Sequence, residues 1–240
     1  MTSKAARKVK RAIQILLAIS DWKTAYNTSN GRAYKWKINF VTLTLSAAQG
    51  KRTDAELSKY LFQPFLRILR NKYGWTSYVW RVERQKNGNL HWHITGNKWI
   101  NWRYLRTDWN RAQEKLGFIT QFEKAHGHRD PNSTDVHSVN SIRNLAGYLA
   151  KYMAKTEKEG QIIDGKLWDC SLNIKRAKFP NMICEGLVET AVNRSVTFLH
   201  DKVIEMDFAT LIIQSNLLKG RVWSDVMKTT YRAWLESVKN

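Results

Sequence analysis

Two histidines separated by one bulky apolar residue stand in the run Leu90-His91-Trp92-His93-Ile94, between Asn87-Gly88 and Gly96-Asn97. In an extended strand successive side chains alternate faces, so both imidazoles share one side and Trp92 with Ile94 the other. Neutral imidazole is the commonest metal ligand, and a pair on one face can chelate a cation. Upstream, Thr76 to Glu83 reads as another strand, joined to the first by the turn Arg84-Gln85-Lys86-Asn87-Gly88-Asn89. The loop length decides the chemistry. A two-residue Asn-Gly loop pairs Arg84 with His91, whereas a three-residue Lys86-Asn87-Gly88 loop, with Gly88 left-handed in a bulge, pairs Glu83 with His91 on the same face. A cation site needs the carboxylate there, so the three-residue loop is expected.

The remaining elements surround this hairpin. Ile38 to Leu45 alternates and is rich in β-branched residues, which predicts a strand with Phe40, Thr42 and Thr44 on one face. Thr53-Asp54-Ala55-Glu56 has the form of a capping box opening a helical stretch through Lys72, split at Pro64 and closed by Gly74. Asn101 caps a helix with Trp102, Leu105, Trp109, Ala112 and Leu116 at core spacing, stopped by Gly117. Strands are expected over Phe118 to Glu123, Thr134 to Val139 and Leu167 to Ile174. From Ser141 to about Thr156 runs a helix whose buried stripe is Leu145, Leu149 and Met153. Beside that stripe lie Tyr148 and Tyr152 at i, i+4, and Lys151 and Lys155 at the same spacing. Farther on, Glu185 to His200, Lys202 to Leu218 and Val222 to Val238 read as helical.

Phe40-Val41-Thr42-Leu43-Thr44, then Glu83 with His91-Trp92-His93, then Tyr148-Leu149-Ala150-Lys151-Tyr152 resemble, in order, the three motifs of the HUH endonucleases that initiate rolling-circle replication. The Tyr-x-x-x-Tyr form is similar to the two-tyrosine initiators of small single-stranded DNA phages and related plasmids. The resemblance covers roughly residues 36 to 175. It implies an α+β fold: a five-stranded antiparallel sheet with packed helices, an RRM-like palm. It also implies His91, His93 and Glu83 as ligands of Mg²⁺ or Mn²⁺, Tyr148 and Tyr152 as nucleophiles, and Lys151 and Lys155 as supporting cations. The activity implied is nicking of single-stranded origin DNA through a 5′-phosphotyrosine intermediate that frees a 3′-OH primer, followed by rejoining of the ends. The domain division that follows is a basic N-terminal helix or arm over 1–35, the endonuclease over 36–175, and a mostly helical C-terminal region over 176–240.

Lys and Arg number 40 against 20 Asp and Glu, a net charge of +20 that calls for a polyanionic partner, by default nucleic acid. No run approaches the ~18 apolar residues of a membrane span. Cys170 and Cys184 form no zinc spacing and read as reduced thiols, so the expected setting is the cytoplasm of a bacterial host cell. The expected partners are single-stranded DNA at a replication origin and a host helicase and polymerase. Thr42, Thr44, Lys98, Arg103 and Arg106 are candidate DNA contacts, the arginines beside tryptophans on which unpaired bases can stack. Gly160 to Leu167 imitates a phosphate-binding loop but places Leu167 where Ser or Thr must hold Mg²⁺, so no built-in helicase is expected. Two competing functions are a tyrosine transposase of the same superfamily and a non-catalytic nucleic-acid-binding module.

Overall fold

Residues 3–26, 30–139, 162–177, 202–206 and 209–213, with 233 and 236, are described by the computed structural model. Ser3–Ile19 forms helix α1, its buried stripe Val9, Ala12, Ile13, Leu16 and Ile19 recurring at helical spacing. An antiparallel ribbon of β1 (Lys23–Tyr26) and β2 (Ala33–Trp36) follows, in a stretch where the sequence predicts only a basic helix or arm. Then come β3 (Ile38–Thr44), α2 (Asp54–Leu57), a π-helical turn over Ser58–Phe62, α3 (Gln63–Asn71), β4 (Tyr78–Arg84) and β5 (Leu90–Gly96). The first unit continues with α4 (Trp102–Glu114), α5 (Phe118–His126), β6 (Thr134–Val139), β7 (Trp168–Cys170) and the short helix α6 (Leu172–Arg176). By its contacts the chain divides into two units, Met1–Arg176 and Ala177–Asn240.

The first unit is α+β, built on a five-stranded sheet in the order β6-β3-β5-β4-β7 with every neighbouring pair antiparallel. This is the architecture expected of the palm. Its β5, carrying both histidines, is the central strand. One face of the sheet, with Val41, Leu43, Trp80, Val82, Trp92 and Ile94, packs against Phe65, Leu66 and Leu69 of α3 and Leu105, Trp109 and Ala112 of α4. These residues are close to fully buried. Helix α1 packs on β4, β7 and α6, and its apolar stripe is separate from that core; it covers the opposite face, where Val79 and Arg81 are buried.

Local chemistry accounts for the boundaries. Thr53 caps α2 in a complete capping box with Glu56, and Pro64 sits at the start of α3, just after the π-helical turn. Asn101 caps α4 by accepting from the Arg103 amide.

Three expectations are corrected. Phe118 to Glu123 is not a strand but the opening of α5, flanked at both ends by left-handed glycines, Gly117 and Gly127. Phe118 and Ile119 are buried, a helical pairing that mimics alternation when only six residues are read. Leu167 to Ile174 yields a strand only over Trp168–Cys170 before turning into α6. In the second unit, Lys202 to Leu218 is not one helix: Lys202–Met206 (β8) and Ala209–Ile213 (β9) pair antiparallel. Val203, Ile204, Thr210, Ile212 and Ile213 supply the β-branched content that favours strands. Ala233 and Glu236 are helical.

Candidate metal centre

The β4–β5 hairpin sets the register on which the site depends. Gln85 and Asn89 close a three-residue loop through the hydrogen bond from the Gln85 amide to the Asn89 carbonyl, 2.9 Å, and Gly88 takes φ +87°, a left-handed value suited to glycine. The consequence is the pairing Glu83↔His91 and Arg81↔His93. On the other side of β5, Thr44 faces His91 and Thr42 faces His93. Alternation therefore puts two imidazoles, a carboxylate, two threonine hydroxyls and a guanidinium on one face of three adjacent strands.

The turn is anchored from outside the hairpin. Asn89, 5% exposed, accepts from the Gln49 amide at 2.9 Å and donates to the Ala47 carbonyl at 2.9 Å. Arg84 reaches the Gly88 carbonyl at 2.8 Å and forms an ion pair with Asp54. Asp54 in turn accepts from the Asp164 amide. These contacts tie the loop to the segment after β3 and to the approach to β7.

One ligand atom from each of Glu83, His91 and His93 lies within 4.8 Å of the others, a group able to hold a metal ion. His93 Nε2 is 3.0 Å from Glu83 Oε1, and its Nδ1 is 3.2 Å from Thr42 Oγ1. Nδ1 of His91 is 3.0 Å from Thr44 Oγ1 and 3.0 Å from Gln85 Nε2, which leaves Nε2 as the nitrogen open to a ligand. Hydrogen bonds on the far ring nitrogen fix the orientation of an imidazole, as in metal sites generally. Phe40 stacks on His93 at 5.4 Å between ring centroids. Burial, reinforced by the neighbouring His93 and only partly opposed by Glu83, pushes the His91 pKa down to about 4. His91 is therefore neutral across physiological pH, the form that ligates.

The candidate DNA contacts fall in three places. Thr42 and Thr44 put their hydroxyls on the imidazoles. Lys98 lies beyond the Gly96 end of β5, away from His91. Arg103 and Arg106 flank the exposed Trp102, their guanidinium carbons 5.3 and 4.6 Å from its ring centroid. Tyr148, Lys151, Tyr152 and Lys155 lie outside the described residues. Two contributors escape a reading of the sequence. Gln85 sits in the turn yet reaches His91. Arg81, 1% exposed, faces His93 from β4; its i−2 spacing from Glu83 is the available signal.

A central antiparallel sheet with helices on it and a His-x-His plus carboxylate group on one face defines a palm domain with a divalent-cation centre in prospect. The family model described as replication-associated protein ORF2 matches residues 38–157, half of the 240-residue chain, and the chain belongs to this family of replication-associated proteins. The matched stretch runs from the first residue of β3 through Glu83, His91 and His93 to just past Lys155. No curated protein and no solved structure matches the chain significantly. Among the described residues no helix is long and apolar enough to cross a membrane.

Proposed function

We propose that this protein is a rolling-circle replication initiator that nicks and rejoins single-stranded origin DNA. The observation that carries the reading is the convergence of Glu83, His91 and His93 on one sheet face inside a chain of a replication-associated family. The nuclease in this reading occupies residues 36–175. Tyr148 or Tyr152 Oη attacks the scissile phosphorus; the bond from phosphorus to the 3′-oxygen breaks, and that oxygen leaves as a 3′-OH after taking up a proton. The tyrosine retains the 5′-phosphate as a phosphodiester, so the bond energy is conserved and a later attack by the freed 3′-OH closes a circle. The second tyrosine, one turn away, allows a second cut while the first remains linked.

A phenol with an ordinary pKa near 10 is a weak nucleophile at neutral pH. Glu83, His91 and His93 would hold a divalent cation, Mg²⁺ or Mn²⁺, that supplies Lewis-acid polarisation of the phosphate; two imidazoles favour Mn²⁺ over Mg²⁺. Thr42 and Thr44 orient the two histidines. Lys151 and Lys155 offset charge on the phenolate and the phosphorane. The surplus of +20 draws in the polyanionic strand. Unwinding and synthesis fall to a host helicase and polymerase.

The test is covalent capture. The full chain is incubated with labelled single-stranded DNA and Mn²⁺ or chelator, and adducts surviving denaturation are scored for the native protein, His91→Ala, Tyr148→Phe, Tyr152→Phe and the double tyrosine variant. The expected result is a metal-dependent adduct lost in His91→Ala and in the double variant. DNA that binds but never yields an adduct under any metal refutes the nicking reading and leaves a binding module.

A further inference from the structure

We infer that a cleft at the outer edge of the sheet seats an unpaired nucleobase close to the candidate metal centre, an inference that takes its ligand class from the nicking reading. The cleft has a volume of about 420 Å³ and is bounded by Thr44, Trp102, Arg106, Asn132, Thr134 and Asp135. It wraps around β6, the edge strand beyond β3. Asp135 pairs with Thr42 and so lies on the histidine face, whereas Thr134 pairs with Leu43 and points to the side covered by α4. Thr44 belongs both to this cleft and to the site, because its hydroxyl is 3.0 Å from His91 Nδ1. Strands β5 and β6 flank β3 on either side, so the cleft begins about 10 Å from the histidine strand. A strand laid over the histidines can turn a neighbouring base over the β6 edge into it.

The lining has the chemistry of a base site. Trp102 is 43% exposed, a large flat indole held on the surface with the Arg106 guanidinium 4.6 Å from its centroid. Arg106 is itself fixed by a 2.5 Å hydrogen bond to Asn132 Oδ1. Such an arginine–indole wall stacks on any base. Two polar atoms in the lining are buried without a hydrogen-bond partner among the described residues, Arg106 Nε and Thr134 Oγ1. Thr134 is only 7% exposed. Buried polar groups of this kind are normally satisfied. Here a donor N–H and a hydroxyl stand where a base edge can meet them. The Asp135 carboxylate in the same lining disfavours a phosphate and suits the amino group of a base. The structure thus separates two tasks: phosphate over the histidines, base at the β6 edge.

The experiment uses the full chain in chelator, so that binding is read without nicking. Single-stranded oligonucleotides carry the fluorescent base 2-aminopurine at each position in turn. One position is expected to be quenched on binding, with the quench lost in Trp102→Ala, restored in Trp102→Phe, and affinity falling about 10-fold or more in the alanine variant. Thr134→Val and Arg106→Lys are expected to change which base is preferred at that position while leaving the salt dependence of binding intact. Mn²⁺ binding measured by calorimetry stays unchanged in Trp102→Ala, which also certifies a folded site. If no position responds to Trp102→Ala, or if base preference is untouched in both Thr134→Val and Arg106→Lys, the cleft is not a base site. Loss of the covalent adduct with the Trp102-dependent quench retained would sink the nicking reading and leave the cleft standing.

Discussion

Gly96, the last residue of β5, offers the sharpest test of how the sheet is packed. A Cβ added there would lie 2.5 Å from Cε3 of Trp75, 2.6 Å from Cδ2 and 2.8 Å from Cζ3. Carbon atoms rest about 3.5–4.0 Å apart, so something must move by roughly 1 Å. Neither side has room. Trp75 is 0% exposed, and its indole N–H is held 2.9 Å from the Lys98 carbonyl. Gly96 is hydrogen-bonded into the sheet on both flanks, opposite Asn39 and Tyr78. Overpacking a well-filled core costs about 1–3 kcal/mol, and two pinned partners place Gly96→Ala at the upper end. About 3 kcal/mol is a loss of roughly 100-fold in the folding equilibrium. With a urea slope of about 2 kcal/mol/M the unfolding midpoint should fall by about 1.5 M. The assay is urea unfolding followed by tryptophan fluorescence, with Trp75→Leu as a second background. Removing the indole should make Gly96→Ala much cheaper, giving a coupling above about 1 kcal/mol. An unchanged midpoint at unchanged slope, or strict additivity in the double variant, would refute the argument.

Other expectations concern the site and its supports. Asn89→Ala strands the Gln49 amide and the Ala47 carbonyl, so thermal or urea unfolding should show a loss of about 2 kcal/mol; a loss below a few tenths would mean the turn is not anchored through this side chain. Thr44→Val preserves shape but removes the hydroxyl beside His91, and Mn²⁺ affinity by calorimetry should drop about 10- to 100-fold with little change in stability. Equal affinity would show that the threonine does not orient the ring. Burial pushes the Cys170 thiol up to about 11 from 9.0. In a Cys184→Ser background, disulfide-reagent labelling at pH 8 should be about 100-fold slower than for an ordinary thiol and rise about tenfold per pH unit toward pH 11. Rapid labelling at pH 8 would contradict that environment.

The sequence speaks most clearly where side-chain period and turn chemistry coincide. The alternation of Ile38 to Thr44, the Thr53–Glu56 box and the Asn101 cap are local devices, each readable within a few residues. The hairpin goes further, because loop length and left-handed Gly88 together determine which residue faces His91. What stays hidden depends on contacts between distant segments. That Thr42 and Thr44 orient the histidines follows only once β3 is known to lie beside β5. Burial of Arg81 depends on α1 crossing β4, which a basic N-terminal sequence does not announce. Segments with balanced propensity mislead: Phe118 to Glu123 carries the same apolar content for a short strand as for a helix, and the bracketing glycines are the better guide.

The ordering of strands also governs how the centre comes into being as the chain folds. Glu83 and His91 meet within a single hairpin, the kind of structure that closes in about 1–10 μs. Their orienting hydroxyls arrive from 47 and 51 residues away, across a loop whose closure must precede any reward. A chain still emerging or refolding therefore presents its ligands as a loose chelate first, and acquires rigid imidazoles only when β3 slots between β5 and β6. Cation affinity becomes a late reporter of that docking step. By linkage, the ion that binds the finished sheet more tightly than the bare hairpin also drives β3 into place.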